Sequence, residues 1–166
     1  MPGIRNVLRH TWTILTALPN GRWRGLLREA WSLERRLPAL LDEQPLPRFM
    51  ESLTPVPDQG GEARVRDRER ITAIADAMVA LDVGSPLGLC LRQSLVRYHF
   101  LRKAGVPVTI CFGARKRAGT VVAAAAITGH AWLILRGIPY AEDHYHYRDF
   151  TVMYTFPETR QLEMEL

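Results

Sequence analysis

Gly88-Leu89-Cys90-Leu91-Arg92-Gln93-Ser94-Leu95-Val96-Arg97-Tyr98 places a cysteine where a helical pattern begins. Pro86 and Gly88 interrupt whatever helix precedes them, and Leu91, Leu95, Tyr98 and Leu101 then recur at helical spacing until Gly105, a C-terminal stop. Cys90 therefore falls in the first helical turn. There, unpaired backbone N–H groups and the positive end of the helix dipole favour a thiolate, and the same N–H groups can receive an oxyanion. A cysteine taken at random is more often a small buried hydrophobe. Its place at a helix start, with Gly129-His130-Ala131-Trp132 on a later strand, points instead to a nucleophile and its base.

Working outward, the segments after this helix read as a sheet. Residues 106–112 are a β-rich run, 113–119 a basic turn, 121–127 an alanine-rich stretch of ambiguous state and 130–135 a strand. Arg136-Gly137 reads as a hairpin turn, residues 140–144 as the partner strand and 150–156 as a last strand. Upstream, residues 4–18 carry Ile4, Val7, Leu8, Trp12, Leu15 and Leu18 on one helical face. Residues 22–36 form a second helix with Trp23, Leu26, Leu27, Ala30 and Trp31 inward, broken at Pro38. A loop at residues 54–61 precedes a third helix over 64–81, with Val65, Ile71, Ile74, Ala75, Met78 and Leu81 inward. Helices first and sheet afterwards is the order of an α+β chain, divided here into an N-terminal helical arm and linker, 1–60, and a core, 61–166.

The chemistry needs a third group to orient the histidine. The hairpin returns Glu142-Asp143, and since strand side chains alternate, only one of the two can face the imidazole. Alternation leaves Glu142 and Asp143 both open as that group, and Asp149 comes after both. Trp132 is expected to pack beneath the hairpin and hold His130. Cys111, in an apolar strand, reads as structural filler. His144 and His146 have a spacing compatible with zinc, too sparse for a metal site, and no cofactor is called for. Arg92, Arg97 and Arg102 read as the solvated face of the cysteine helix.

With 166 residues, 47% apolar, 23% charged and two cysteines, the chain reads as a globular protein of the reducing cytosol without a disulfide framework. No signal peptide or membrane span is indicated, and membrane association of the two basic, tryptophan-bearing helices is the lesser alternative to ordinary packing. The net charge of +5 comes without a nucleic-acid-binding motif, so no nucleic acid is expected as partner.

Cys90-Leu91-Arg92-Gln93-Ser94-Leu95, Leu101-Arg102-Lys103-Ala104-Gly105-Val106, Phe112-Gly113-Ala114-Arg115-Lys116, Gly129-His130-Ala131-Trp132-Leu133 and Gly137-Ile138-Pro139-Tyr140-Ala141-Glu142 together resemble the lasso-peptide biosynthesis B2 family of transglutaminase-like leader peptidases. The resemblance spans about Leu81 to Pro157. It implies a papain-like core, with the cysteine helix packed on a small antiparallel sheet and a Cys90, His130, Glu142 triad that removes the leader of a ribosomally made precursor peptide. It also implies a separate winged-helix protein that grips the leader, and an ATP-dependent macrolactam cyclase acting afterwards. Gln93 stands where many members have arginine, Ile134 where many have glutamate, and Gly84 where papain-like proteases often keep an oxyanion glutamine. A glutamate twelve residues after the histidine, as Glu142 is, accompanies the Gly-His-Cys-Trp-Leu branch of the family. The alternative reading is a non-catalytic adaptor that keeps the fold and binds precursor or cyclase.

Overall fold

The computed structural model describes residues 4–58, 66–116, 127–142 and 147–158. Two compact units divide the chain, Met1–Val106 and Pro107–Leu166. The first is helical, with α1 (Ile4–Ala17), α2 (Gly21–Glu43), α3 (Leu46–Leu53), α4 (Arg68–Leu81) and α5 (Leu89–Lys103). The second is a four-stranded antiparallel sheet in the order β3-β2-β1-β4, made of β1 (Val108–Lys116), β2 (Ile127–Leu135), β3 (Ile138–Tyr140) and β4 (Thr151–Phe156). The fold class is α+β, as the order of elements implied.

In the helical unit, α4 is the hub, packing against α1, α2 and α5. Its Ile71, Ile74, Ala75 and Met78 are buried as their spacing required, whereas Leu81 is exposed and Val65 lies outside the described residues. The expected break of α2 at Pro38 does not occur. The helix runs through Pro38 to Glu43, at the cost of the hydrogen bond that residue 38 would have donated to the carbonyl of Glu34. The longer helix buries Leu33, Glu34 and Leu37 along with Leu27 and Ala30, and leaves Trp31 exposed. A further helix, α3, occupies residues to which the sequence reading assigned no element. Pro45 and Pro47 sit at its start, where a missing N–H is harmless, and Phe49, Met50 and Leu53 go into the core.

Two faces are the reverse of their sequence reading. Val7, Leu8, Trp12 and Leu15 of α1, and Leu18 just past its end, are exposed, and the helix is seated through Thr13 and Ala17 instead. The small side chains allow close approach to α4, where Arg70 donates to the Thr13 carbonyl and the Thr16 hydroxyl. On α5, Arg92 and Arg97 are buried rather than solvated. Arg92 pairs with Glu34 at 2.6 Å and also donates to the Asp82 carbonyl, while Arg97 grips both oxygens of Asp76 at 2.6 and 2.9 Å. Helices α2 and α4 cover the sides of α5 that periodicity alone assigned to solvent.

In the sheet unit, β1 is central and pairs with both β2 and β4, so its side chains Val108, Ile110 and Cys111 are buried. β1 extends to Lys116, which absorbs the first half of the expected basic turn. Arg136 and Gly137, both at positive φ, make the tight turn between β2 and β3 that their sequence announced. The register between β1 and β4 shifts at Phe112 and Gly113, a bulge that leaves Met153 as the extra residue of β4.

Candidate active site

Cys90 is the second residue of α5. Gly88, in an extended conformation, precedes the helix and offers no side-chain cap, and the first helical N–H in the ladder is that of Arg92, which donates to the Gly88 carbonyl at 3.2 Å. The amides of Leu89, Cys90 and Leu91 precede that bond, so helix geometry gives them no partner inside α5. Cys90 is a free cysteine of intermediate exposure. Cys111 is buried in β1, and burial pushes its thiol up to about 11, which keeps it protonated and inert near neutral pH.

Arg92 anchors this helix start. Its guanidinium reaches the carbonyl of Asp82, at the end of α4, and the carboxylate of Glu34 in α2, tying both ends of the loop that leads into Cys90 to the core. Glu34 Oε2 and Arg92 Nε are buried without a hydrogen-bond partner among the described residues. Burial raises the Glu34 pKa, against the opposing pull of Arg92. Beside the helix start lies a groove of about 420 Å³, bordered by Val7, Ile14, Leu81, Val83, Leu89 and Gln93.

In the sheet unit, His130 and Glu142 meet. Nε2–H of His130 donates to Glu142 Oε1 at 3.2 Å, both side chains being largely buried. With that nitrogen carrying the hydrogen, Nδ1 keeps its lone pair and is the basic atom of the ring. Strand alternation alone would not have produced this meeting. Tyr140 pairs with Leu133, so a regular continuation would put residue 142 on the Leu133 face, opposite to His130. Ala141 breaks the alternation with a left-handed φ of 54°, a conformation that costs a non-glycine residue about 1–2 kcal/mol. The strain accompanies the turn of Glu142 toward the imidazole. Asp143, the substitute carboxylate, and His144 and His146 lie outside the described residues. Asp149 pairs instead with Arg115 at 3.4 Å.

The imidazole is held by rings. Trp132 stacks on it with centroids 5.7 Å apart and 18° between planes, as expected, and Phe150 lies 5.1 Å away on another side. Tyr147 in turn approaches Trp132 at 6.2 Å. Gly113, opposite His130 in the β1–β2 register, is the residue that sequence reasoning missed: a Cβ there would lie 2.8 Å from the Trp132 indole and 3.0 Å from Phe150 Cβ. The indole occupies the space a side chain would take. The sequence put Gly113 at the start of a basic turn; β1 runs through it instead, and a glycine inside a strand marks close approach.

The helical unit thus carries a free thiol at a helix start without a side-chain cap, and the sheet unit carries a histidine hydrogen-bonded to a carboxylate. A family model described as the transglutaminase-like superfamily matches residues 34–155, nearly three quarters of the sequence. The chain belongs to that superfamily. The match begins within α2, at the buried Glu34, takes in α5, β1, β2 and β3, and ends within β4. Neither a search of the curated proteins nor one of the solved structures found a match.

Proposed function

We propose that Cys90, His130 and Glu142 act together as the catalytic set of a cysteine peptidase, and that its substrate is the leader segment of a ribosomally made lasso precursor peptide. The observation that carries the reading is the 3.2 Å hydrogen bond between His130 and Glu142, because it leaves Nδ1 as the base a thiol needs. The superfamily match, which includes cysteine-peptidase-like proteins, and the uncapped first turn beneath Cys90 support it. The groove beside the start of α5, lined by Leu81, Val83 and Leu89 together with Arg9, His10 and Gln93, supports a segment of polypeptide as ligand.

In this mechanism His130 Nδ1 takes the Cys90 proton as the sulfur attacks the scissile carbonyl. The first-turn amides of α5 receive the oxyanion, and the same proton passes to the departing amine. Water, deprotonated by His130, then cleaves the thioester and restores the thiol. Glu142 keeps the ring in its productive tautomer. Residues 61–166 are the catalytic core in this reading and 1–60 its arm, with a winged-helix protein presenting the leader and a cyclase receiving the freed amine.

Cleavage of a short precursor encoded beside this chain tests the proposal. Cys90→Ala and His130→Ala should each lower the rate about 10³-fold or more with unchanged thermal unfolding, and iodoacetamide should label Cys90 well before Cys111. Retained cleavage in either variant would remove the peptidase reading. Unchanged binding of precursor by Cys90→Ala, with no cleavage by the parent chain, would favour the adaptor.

A further inference from the structure

The exposed face of α1 is an apolar stripe in the wrong place for a protein core. Leu8, Trp12 and Leu15 follow one another at helical spacing, flanked by Val7 and Leu18; Trp12 is 69% and Leu8 63% exposed. The side of the same helix that is buried carries Thr13 and Ala17. A helix that seats its small and polar side chains and turns its largest apolar ones outward leaves a face that water does not favour.

Charge says what covers it. Before Glu29 the sequence contains five arginines, Arg5, Arg9, Arg22, Arg24 and Arg28, and no acidic residue, so the whole formal charge of +5 is matched by this first sixth of the chain. Arg24 donates to the carbonyls of Leu18 and Pro19, which brings its cation to the end of the apolar stripe. From there Arg24, Arg28, Trp31 and Arg35 continue at i, i+4, i+7 and i+11 along the exposed side of α2, with the Arg35 guanidinium 5.6 Å from the Trp31 ring. Of the five arginines, Arg22 has an acidic partner, Asp67; among the described residues no ion pair is made by Arg9, Arg24 or Arg28.

We infer that α1 and the basic stripe of α2 form a docking surface for an anionic lipid bilayer. The apolar stripe enters the boundary between headgroups and acyl chains, with Trp12 at headgroup depth, while the arginines meet lipid phosphates. A second copy of this chain fits less well, since it would bring the same cluster of positive charge against itself. The helix lies on the membrane rather than crossing it: no described helix is long and apolar enough to span.

Co-sedimentation of the full chain with vesicles tests this. Phosphatidylcholine vesicles containing phosphatidylglycerol should bind it about tenfold or more tightly than phosphatidylcholine alone, and high salt should remove most of the difference. The double variant Leu8→Asp, Trp12→Asp should lose binding to both. The pair Arg9→Glu, Arg28→Glu should abolish the preference for phosphatidylglycerol. All of these positions are exposed, so each variant should keep the parent's thermal unfolding midpoint. Failure of the parent chain to bind anionic vesicles at low salt overturns the inference, as does undiminished binding by the Leu8, Trp12 variant. A dimer that this variant dissolves, in a parent chain that ignores vesicles, would assign the face to a second copy and overturn it too.

Discussion

Helices α1 and α5 use side chains in opposite ways. α1 has a strong apolar stripe and shows it to the outside, resting on Thr13 and Ala17; α5 carries arginines at positions 92 and 97 and takes both inward, to Glu34 and Asp76. Each helix forms where its sequence says it should. Periodicity describes how a helix differs from side to side, and says which side faces inward only when a single other surface competes for it. α5 is covered by two helices bearing carboxylates, so its arginines find partners inside; α1 packs through side chains small enough to let backbones approach. The difference separates stability, which α5 concentrates, from surface chemistry, which α1 presents.

The comparison breaks most readily at Glu34. Replacing it with leucine should cost about 3–5 kcal/mol in urea unfolding, since Arg92 is then buried with its charge unmatched and cannot shed a proton. Arg92→Met should cost less, because Glu34, whose pKa burial already raises, can neutralise itself by taking up a proton; the deficit of this variant should shrink on acidification. The double variant Glu34→Leu, Arg92→Met should recover most of the loss, and if it does not, the pair supplies more than charge matching.

A smaller effect distinguishes the interior of the helical unit by pH. Burial holds the His99 pKa below its usual 6.5, and its Nδ1–H donates to the Leu53 carbonyl at 2.7 Å. A lowered pKa in the folded state means that the unfolded chain binds the proton more readily. His99 therefore withdraws stability as pH falls through 6.5 toward its folded value. Unfolding curves compared between neutral pH and about pH 5.5 should show a drop in the parent chain that is reduced in His99→Asn, which keeps a donor at that position. The smallest effect belongs to α1: Leu8→Asp should shift stability by about 0.5 kcal/mol or less, because nothing within the helical unit covers that side chain. A loss comparable with that of Arg92→Met would mean that the face is packed after all.

Much of the candidate site was legible residue by residue. Gly88 and Pro86 located the start of the cysteine helix, Arg136-Gly137 located the hairpin, and the twelve-residue interval from His130 to Glu142 matched a pair that the structure joins. The route to that pair was not legible, because it depends on the left-handed Ala141, and alanine carries no mark of positive φ. Gly113, read as the start of a turn, was not legible as the seat of Trp132, since the overlap exists only once β1 and β2 are in register.

By itself the sequence determined that helices precede the sheet, which cysteine stands at a helix start, and which histidine lies on a strand with a carboxylate following it. Those follow from local rules: spacing, caps and turn residues act over a few positions. Only the tertiary structure decided which faces are buried, that Arg92 and Arg97 lie inside while Leu8 and Trp12 lie outside, and that Glu142 meets His130. Burial is a property of what packs against a surface, and no stretch of chain contains its own partner.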